Sequence, residues 1–244
     1  MHIILAVITI AAASDLQPVL PQLVARFERQ TGHTVRTTLG SSGNFLAQIR
    51  NGAPFDVFLS ADIAYPAELE SAGLAESGTL VPYATGTLVL WTRTGSGVDV
   101  RRGIQGLIAD RVRRVAIANP DHAPYGRAAV AALRNGHIYE QVRAKLVMGE
   151  NVAQAMQFVQ SGNADVGFLP LSLAKSAAAS VAADYATIPP ALYPPIEQAG
   201  IVVRSSRNKD AARAFLKFLQ QADAVTLLAD AGFGPVRVKA EAVR

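Results

Sequence analysis

The chain has 244 residues, of which half are apolar and 17% are charged, and its formal net charge is +4. This composition is sufficient to bury a core and excludes a disordered chain. The chain has no cysteine, which excludes disulfides, thiolate zinc sites, cysteine nucleophiles and thioether-attached cofactors.

The first thirteen residues are almost wholly apolar. They are too few to span a bilayer, and they lack the Lys/Arg segment with which a complete signal peptide begins. We expect residues 8–10 to form the first core strand. We expect the residues before them to be the remnant of a leader that starts upstream.

A strand, a tight turn and a helix are predicted over residues 8–31, because a β-branched run is followed by three alanines and then by an amphipathic pattern. Ser14 and Gln17 fit a capping box with Ser14 as the N-cap, and Gly32 is a suitable residue to end the helix. A helix start presents unpaired N–H groups and partial positive charge, so it can hold an anion. An ordinary helix cap is the alternative interpretation.

The same construction follows at residues 33–52, where a strand leads through Gly40, Ser41 and Ser42 into a short helix over 45–51. The two serines are either caps or ligands. A hydrolase nucleophile is disfavoured, because the G-x-S-x-G spacing and a histidine partner are missing. A buried strand at 57–59 then leads to Asp62, which we expect to cap a helix over 65–72.

The second half of the chain repeats this alternation. His122 lies in a loop and is expected to be a surface residue, whereas Pro124 pre-sets a helix start and Asn151 is a good N-cap. The alanine-rich segment 177–183 is either a helix remnant or a loop. The remaining predicted elements are strands at 86–92, 114–118, 164–169 and 198–204, extended segments at 142–148 and 185–188, and helices at 125–133, 153–160 and 211–229.

Two α/β lobes are predicted. Residues 1–84 with 197–244 form the first, discontinuous lobe, and residues 85–196 form the second. Extended crossings between lobes indicate a hinged clamshell. Ligands of such sheets bind at the carboxyl ends of strands and at helix N-termini. Four such starts qualify, and none carries a basic side chain: Ser14, Ser42, Tyr125 and Val152.

Five motifs resemble those of the periplasmic molybdate-binding proteins, the substrate-binding subunits of molybdate ABC importers. They are AAASDL at 11–16, GSSGNF at 40–45, NGAPFDVFLSAD at 51–62, NPDHAPYG at 119–126 and GENV at 149–152. The resemblance runs over residues 8–233. It implies a type II periplasmic-binding-protein fold with an oxyanion in the cleft, held by hydroxyls and backbone N–H groups without a cationic side chain.

The resemblance also implies residue roles. By position, Ser14 and Ser42 match serine ligands of the anion, and Tyr125 and Val152 match backbone donors. Pro170 stands where some members have a tyrosine ligand, so Asn151 or the backbone N–H of residue 15 is a candidate replacement donor. The residues expected to support the site from behind are Asp15, Ser41, Asn151 and Asp62.

The orientation of Asp15 affects which ligand is bound. A carboxylate that faces the anion repels molybdate and favours a protonated ligand such as phosphate. A carboxylate that turns outward in the first helical turn is a favourable partner of the helix dipole. We expect the outward orientation, because acidic residues are common in first turns.

The function expected from this resemblance is that of a non-enzymatic, monomeric periplasmic binding protein. It captures molybdate or tungstate for the membrane permease of an ABC importer, and it needs no cofactor and no separate metal ion. No nucleic-acid partner is expected, because aromatic residues do not alternate with the basic ones. The alternatives are a binding protein for sulfate or phosphate, and an enzyme or effector-sensing domain on the same fold.

Overall fold

The computed structural model describes residues 5–178 and 182–236. These residues form ten strands in two five-stranded sheets. The strands are β1 (Val7–Ala13), β2 (Thr34–Gly40), β3 (Val57–Ser60), β4 (Val81–Gly86), β5 (Leu88–Arg93), β6 (Val115–Ala118), β7 (Leu146–Gly149), β8 (Val166–Pro170), β9 (Ala183–Thr187) and β10 (Ile196–Val202).

Helices follow most of the strands. They are α1 (Leu20–Thr31), α2 (Ser42–Arg50), α3 (Ala64–Ser71), α4 (Pro124–Asn135), α5 (Tyr139–Val142), α6 (Val152–Gln160), α7 (Leu171–Ala178), α8 (Lys209–Phe218) and α9 (Ala222–Ala231). Shorter 3-10 segments cover Ser14–Leu16, Val100–Ile108, Arg143–Lys145 and Pro190–Leu192. None of the described helices is both long and apolar enough to cross a membrane.

The first sheet has the strand order β2-β1-β3-β10-β4. β1 runs parallel to β2 and β3, whereas β10 is antiparallel to β3 and β4. Helices cover both faces, and β1 and β3 are mainly apolar, as expected for parallel strands buried on two sides. In one of the cores, Phe27 of α1 packs edge-on against Phe215 of α8 with ring centroids 5.0 Å apart.

The second sheet has the strand order β7-β6-β8-β5-β9. β6 is parallel to β7 and β8, whereas β5 is antiparallel to β8 and β9. Its core includes the fully buried Trp91 and Phe168. We call this sheet with α4–α7 the second lobe, and the first sheet with α1–α3, α8 and α9 the first lobe. The chain crosses between the lobes after β4 and again before β10.

The predicted capping box at Ser14 is wrong. The Ser14 hydroxyl donates to the Gly40 carbonyl at 3.1 Å, and the residues after β1 form a 3-10 turn instead of an α-helix. The reason is Pro18, which has no N–H and restricts the residue before it. The α-helix therefore begins only at Leu20, with Pro21 in its first turn. Its predicted end is confirmed, since Gly32 is the left-handed C-cap with φ of 76°.

Three further element predictions need correction. The single helix expected over 211–229 is two helices, because Gln221 is extended (φ −72°, ψ 149°) between α8 and α9. The segment 142–148 is extended only from Leu146 onward. β4 was not predicted because of Pro82, which the sheet tolerates since β4 is an edge strand. The alanine-rich segment is helical to Ala178, and its residues 179–181 lie outside the described residues.

Candidate functional site

A cavity lies between the lobes, at the carboxyl ends of strands from both sheets. The space inside it that a water-sized sphere can occupy is about 10 Å³. The lining residues come from the turns after β1, β2 and β3 and from the starts of α4 and α6: Ala13, Ser14, Asp15, Gly40, Ser41, Ser42, Ala61, Ala123, Pro124, Tyr125, Asn151 and Val152. Small residues dominate, so a ligand in this space approaches the main chain closely.

The cavity brings together the four residues that the sequence singled out at helix starts, Ser14, Ser42, Tyr125 and Val152. All four are at least 95% buried. Three of the four expected supporting residues, Asp15, Ser41 and Asn151, also line it. Asp62 does not line this cavity. Its carboxylate accepts the α3 N–H of Ala64 at 2.9 Å, as expected for a capping residue, and pairs with Arg127 at 2.6 Å.

The two serine hydroxyls differ in their hydrogen bonds. Ser42 Oγ accepts the N–H of Ala61 at 3.0 Å, so its own proton is available to donate to a ligand. Ser14 Oγ instead donates to the Gly40 carbonyl at 3.1 Å. Ser14 can therefore offer a proton to a ligand only by giving up this bond.

The starts of α2, α4 and α6 line the cavity, and the first N–H groups of a helix have no partner within that helix. In α6, the Asn151 side chain caps the N–H groups of Ala153 and Gln154 at 2.9 and 3.1 Å and leaves the Val152 N–H at the tip uncapped. In α4, the first residue is Pro124, which has no N–H, so Tyr125 supplies the first donor. Each helix start also carries partial positive charge of about half an elementary charge.

The cavity has donors but no cationic side chain. Among its described lining residues there is no Lys or Arg, and Asp15 is the one acid. No group of three or more His, Cys, Asp or Glu suited to a metal ion occurs in the described part of the chain. The chemistry of the lining thus fits an anion that only accepts hydrogen bonds, and it does not fit a bare cation.

Asp15 is not oriented as expected. The prediction that its carboxylate turns outward is wrong, since the residue is 1% exposed and its Oδ2 accepts a hydrogen bond from Gln198 Nε2. The physical reason is that the 3-10 turn lies beneath other elements. Gln198 of β10 contacts its side chain, and the Ser172 hydroxyl of α7 donates to its main-chain carbonyl at 2.7 Å.

Burial changes the acidity of this group. It raises the pKa of the Asp15 carboxyl from the ordinary value of 3.8 to about 6, although the facing Gln198 amide and Tyr125 hydroxyl oppose the rise. Burial, followed by the nearby charge of Asp15, raises the pKa of Tyr125 well above its ordinary value of 10.0. The Tyr125 hydroxyl therefore stays protonated at neutral pH.

Sequence reasoning missed the residues behind the cavity. Gln198 is 0% exposed, and its Oε1 accepts a hydrogen bond from the Tyr83 hydroxyl at 2.9 Å. The available signal was a glutamine inside strand β10, followed by four apolar or small residues, because a buried amide requires partners. Its partner Asp15 is 183 residues away in the sequence, so no local pattern could identify it.

The lobes also touch at the rim of the cavity. His122, expected to be an unpaired surface residue, instead contacts Ser41 across the cleft, with Nδ1 and Oγ 2.9 Å apart. The His122 carbonyl accepts the Gly43 N–H at 2.8 Å, and a Cβ at Gly43 would lie 2.7 Å from that carbonyl oxygen. On the opposite side, Arg127 bonds the Tyr65 hydroxyl at 2.6 Å. The described conformation is therefore closed.

Comparison with known proteins identifies similar chains. Residues 8–234 match the family model of the bacterial extracellular solute-binding proteins. The molybdate-binding protein ModA of Azotobacter vinelandii is 36% identical over 229 residues, which cover 94% of this chain and 90% of that protein. ModA of Rhodobacter capsulatus is 37% identical over 229 residues, covering 93% and 87% of the two chains.

Solved structures agree with this similarity. The periplasmic molybdate-binding protein of Azotobacter vinelandii superposes with a TM-score of 0.88 and 35% identity, covering 94% of this chain and all of that one. The sulfate-binding protein SubI of Mycobacterium tuberculosis has a TM-score of 0.78 at 21% identity, over 95% and 87% of the chains, and supports the fold alone. The predicted two-lobed periplasmic-binding-protein fold is confirmed.

Proposed function

The chain belongs to the bacterial extracellular solute-binding proteins, and from this premise we propose that it captures molybdate or tungstate in the periplasm and delivers it to the permease of an ABC importer. The observation that carries the proposal is a buried cavity lined by hydroxyls and helix starts, with no cationic side chain among its described lining residues. The two ModA relatives named above are molybdate-binding proteins, and we propose that this chain catalyses no reaction.

The proposed ligand is a dianion that is buried in the cavity. Burying such an ion is unfavourable unless hydrogen-bond donors replace its hydration shell. Molybdate and tungstate accept hydrogen bonds and donate none at neutral pH, so a site built from donors suits them. Sulfate is also a pure acceptor but is smaller, so the size of the cavity must discriminate against it.

We propose the following roles for the lining residues. The hydroxyls of Ser14 and Ser42 and the main-chain N–H groups of Tyr125 and Val152 donate to the oxyanion. The residues Asp15, Ser41 and Asn151 support these donors from neighbouring positions. For Asp62 we propose only a supporting role, from its ion pair with Arg127.

The domain division stays a proposal as well, with residues 1–84 and 197–244 in one lobe and 85–196 in the other. In this proposal the protein acts as a monomer without a nucleic-acid partner, and its lobes close on the anion about the two chain crossings. Closure would complete the surface that the permease recognises.

One observation favours a second candidate ligand. Asp15 contributes a buried carboxyl to the cavity lining. Hydrogen phosphate carries a proton and can use an acceptor, whereas molybdate cannot. Phosphate is therefore the alternative that the experiment must include.

The test is thermal unfolding of the purified protein with molybdate, tungstate, sulfate or phosphate. A ligand present at 100 times its dissociation constant stabilises the fold by about 2.7 kcal/mol. We expect this stabilisation from molybdate and tungstate and much less from sulfate. Stabilisation by phosphate alone would favour the second candidate, and no response to any of the four would refute oxyanion capture.

A further inference from the structure

A buried hydrogen-bond network lies behind the cavity, and it is centred on Gln198. Its amide Nε2 donates to Asp15 Oδ2 and, at 3.3 Å, to the Tyr125 hydroxyl. Its Oε1 accepts from the Tyr83 hydroxyl at 2.9 Å. Both ends of the amide are thus engaged, which fixes the orientation of the side chain.

This network connects the two lobes. Asp15, Tyr83 and Gln198 belong to the first lobe, whereas Tyr125 lies at the start of α4 in the second lobe. Asp15 and Tyr125 also line the cavity. The Gln198 amide therefore donates hydrogen bonds to the side chains of two lining residues that belong to opposite lobes.

The position of the Tyr125 hydroxyl is tightly defined. It lies against Gly86, the last residue of β4 before the first crossing, where an added Cβ would be 2.1 Å from the hydroxyl oxygen. Because Gln198 donates to this oxygen, the hydroxyl proton remains available. The neighbouring Asp15 Oδ1 is buried and has no hydrogen-bond partner among the described residues.

We propose that Gln198 is a positioning residue for anion capture, which holds the Tyr125 hydroxyl of the second lobe beside Asp15 of the first when the cleft is closed. This inference rests on the proposed function. By fixing both side chains, Gln198 aligns the main chain of the 3-10 turn with the first N–H of α4. If the closed conformation that binds the ligand is populated less often, the apparent affinity for the ligand falls in proportion to that population.

The first test compares two tyrosine variants that each lose one buried hydroxyl. Tyr125→Phe removes the contact between lobes and keeps the Tyr125 N–H. Tyr193→Phe removes a hydroxyl that accepts the Leu88 N–H at 3.1 Å within the second lobe, so it is the matched control. We expect the molybdate Kd from calorimetry to rise at least tenfold for Tyr125→Phe and less than twofold for Tyr193→Phe. Small-angle X-ray scattering should detect a more open Tyr125→Phe protein.

A second test separates positioning from a general structural role. The titratable groups that face Gln198 are Asp15, Tyr83 and Tyr125. Gln198→Glu puts two carboxyl groups in contact, and they can form a hydrogen bond only when they share a proton. We expect its molybdate affinity, relative to wild type, to fall at pH 8 and to recover by at least tenfold at pH 5.5. Thermal unfolding of Gln198→Glu at both pH values is measured beside the affinity: a lesion that only loosened the fold would lower Tm and affinity together at pH 8, whereas lost positioning lowers the affinity of a protein that is still folded.

The outcomes separate the two proposals. If the wild-type protein fails to bind molybdate, the proposed function fails. If wild type binds but Tyr125→Phe binds within twofold of it, or if Gln198→Glu shows no recovery at pH 5.5, the positioning role of Gln198 is refuted and the proposed function stands.

Discussion

Replacing Asp15 by asparagine tests the energetics of the buried carboxyl. An asparagine side chain is nearly isosteric with that of aspartate and keeps an oxygen that can accept from Gln198 Nε2, so the substitution removes the charge and little else. The structure predicts that Asp15→Asn stabilises the protein at neutral and higher pH. The reason is that burial without a cationic partner disfavours the charged carboxylate.

The magnitude follows from the pKa. The carboxyl has a pKa of about 6 in the folded protein and 3.8 as the ordinary value in an unfolded chain. Because the folded protein holds the proton more tightly, Asp15 favours folding below pH 3.8, and this contribution is lost as the pH rises through about 6. The difference corresponds to about 3 kcal/mol above pH 7. For a protein of this size, it raises Tm by about 6–12 °C.

The assay is thermal unfolding of wild type and Asp15→Asn between pH 4.5 and 8. The stabilisation of the variant should grow with pH and level off above about pH 7. Asp121→Asn removes an exposed acid and is the control, for which the Tm difference from wild type should be the same at both ends of the range. An Asp15→Asn stabilisation that is equal at pH 4.5 and pH 8 would refute the reasoning.

Three further predictions concern the lining and the rim. Ser42→Ala should weaken molybdate binding by about 1–3 kcal/mol, because the charged acceptor loses a free hydroxyl donor. Ser14→Ala should weaken binding less, because the Ser14 hydroxyl already donates to the Gly40 carbonyl. Calorimetry under identical conditions measures both variants. Gly43→Ala should raise the molybdate Kd, since its Cβ would meet the His122 carbonyl oxygen at 2.7 Å in the closed form; an unchanged Kd would contradict that contact. Asn151→Ala removes the N-cap of α6 and should lower the unfolding free energy by about 1 kcal/mol in urea titrations, an expectation that an unchanged midpoint would exclude.

Local signals account for the part of the site that the sequence could predict. The starts of α2, α4 and α6 follow from small polar residues, a proline and an N-cap asparagine, and each signal lies within a few residues of the helix that it starts. The parallel strands β3 and β6 are mainly apolar runs, a pattern that indicates buried strands. In the structure, these three predicted helix starts line one cavity.

Long-range contacts account for what the sequence could not predict. The orientation of Asp15 depends on Gln198, which lies 183 residues further along the chain. The break at Gln221 contains neither proline nor glycine, so a helical pattern continued through it. Ser14 was interpreted as a cap because its neighbours fit the motif, although Pro18 prevents an α-helix there. The orientation of Asp15 thus required a tertiary contact, whereas the restriction by Pro18 is local and could have been identified in the sequence.

A crystal structure of the protein with tungstate, located by the anomalous scattering of tungsten, would show directly whether the cavity between the lobes is the oxyanion site. We expect one anion between the lobes, within hydrogen-bond distance of the Ser42 hydroxyl and of the main-chain N–H groups of Tyr125 and Val152. An anion bound elsewhere, or no tungsten peak in this cavity at saturating tungstate, would contradict this expectation.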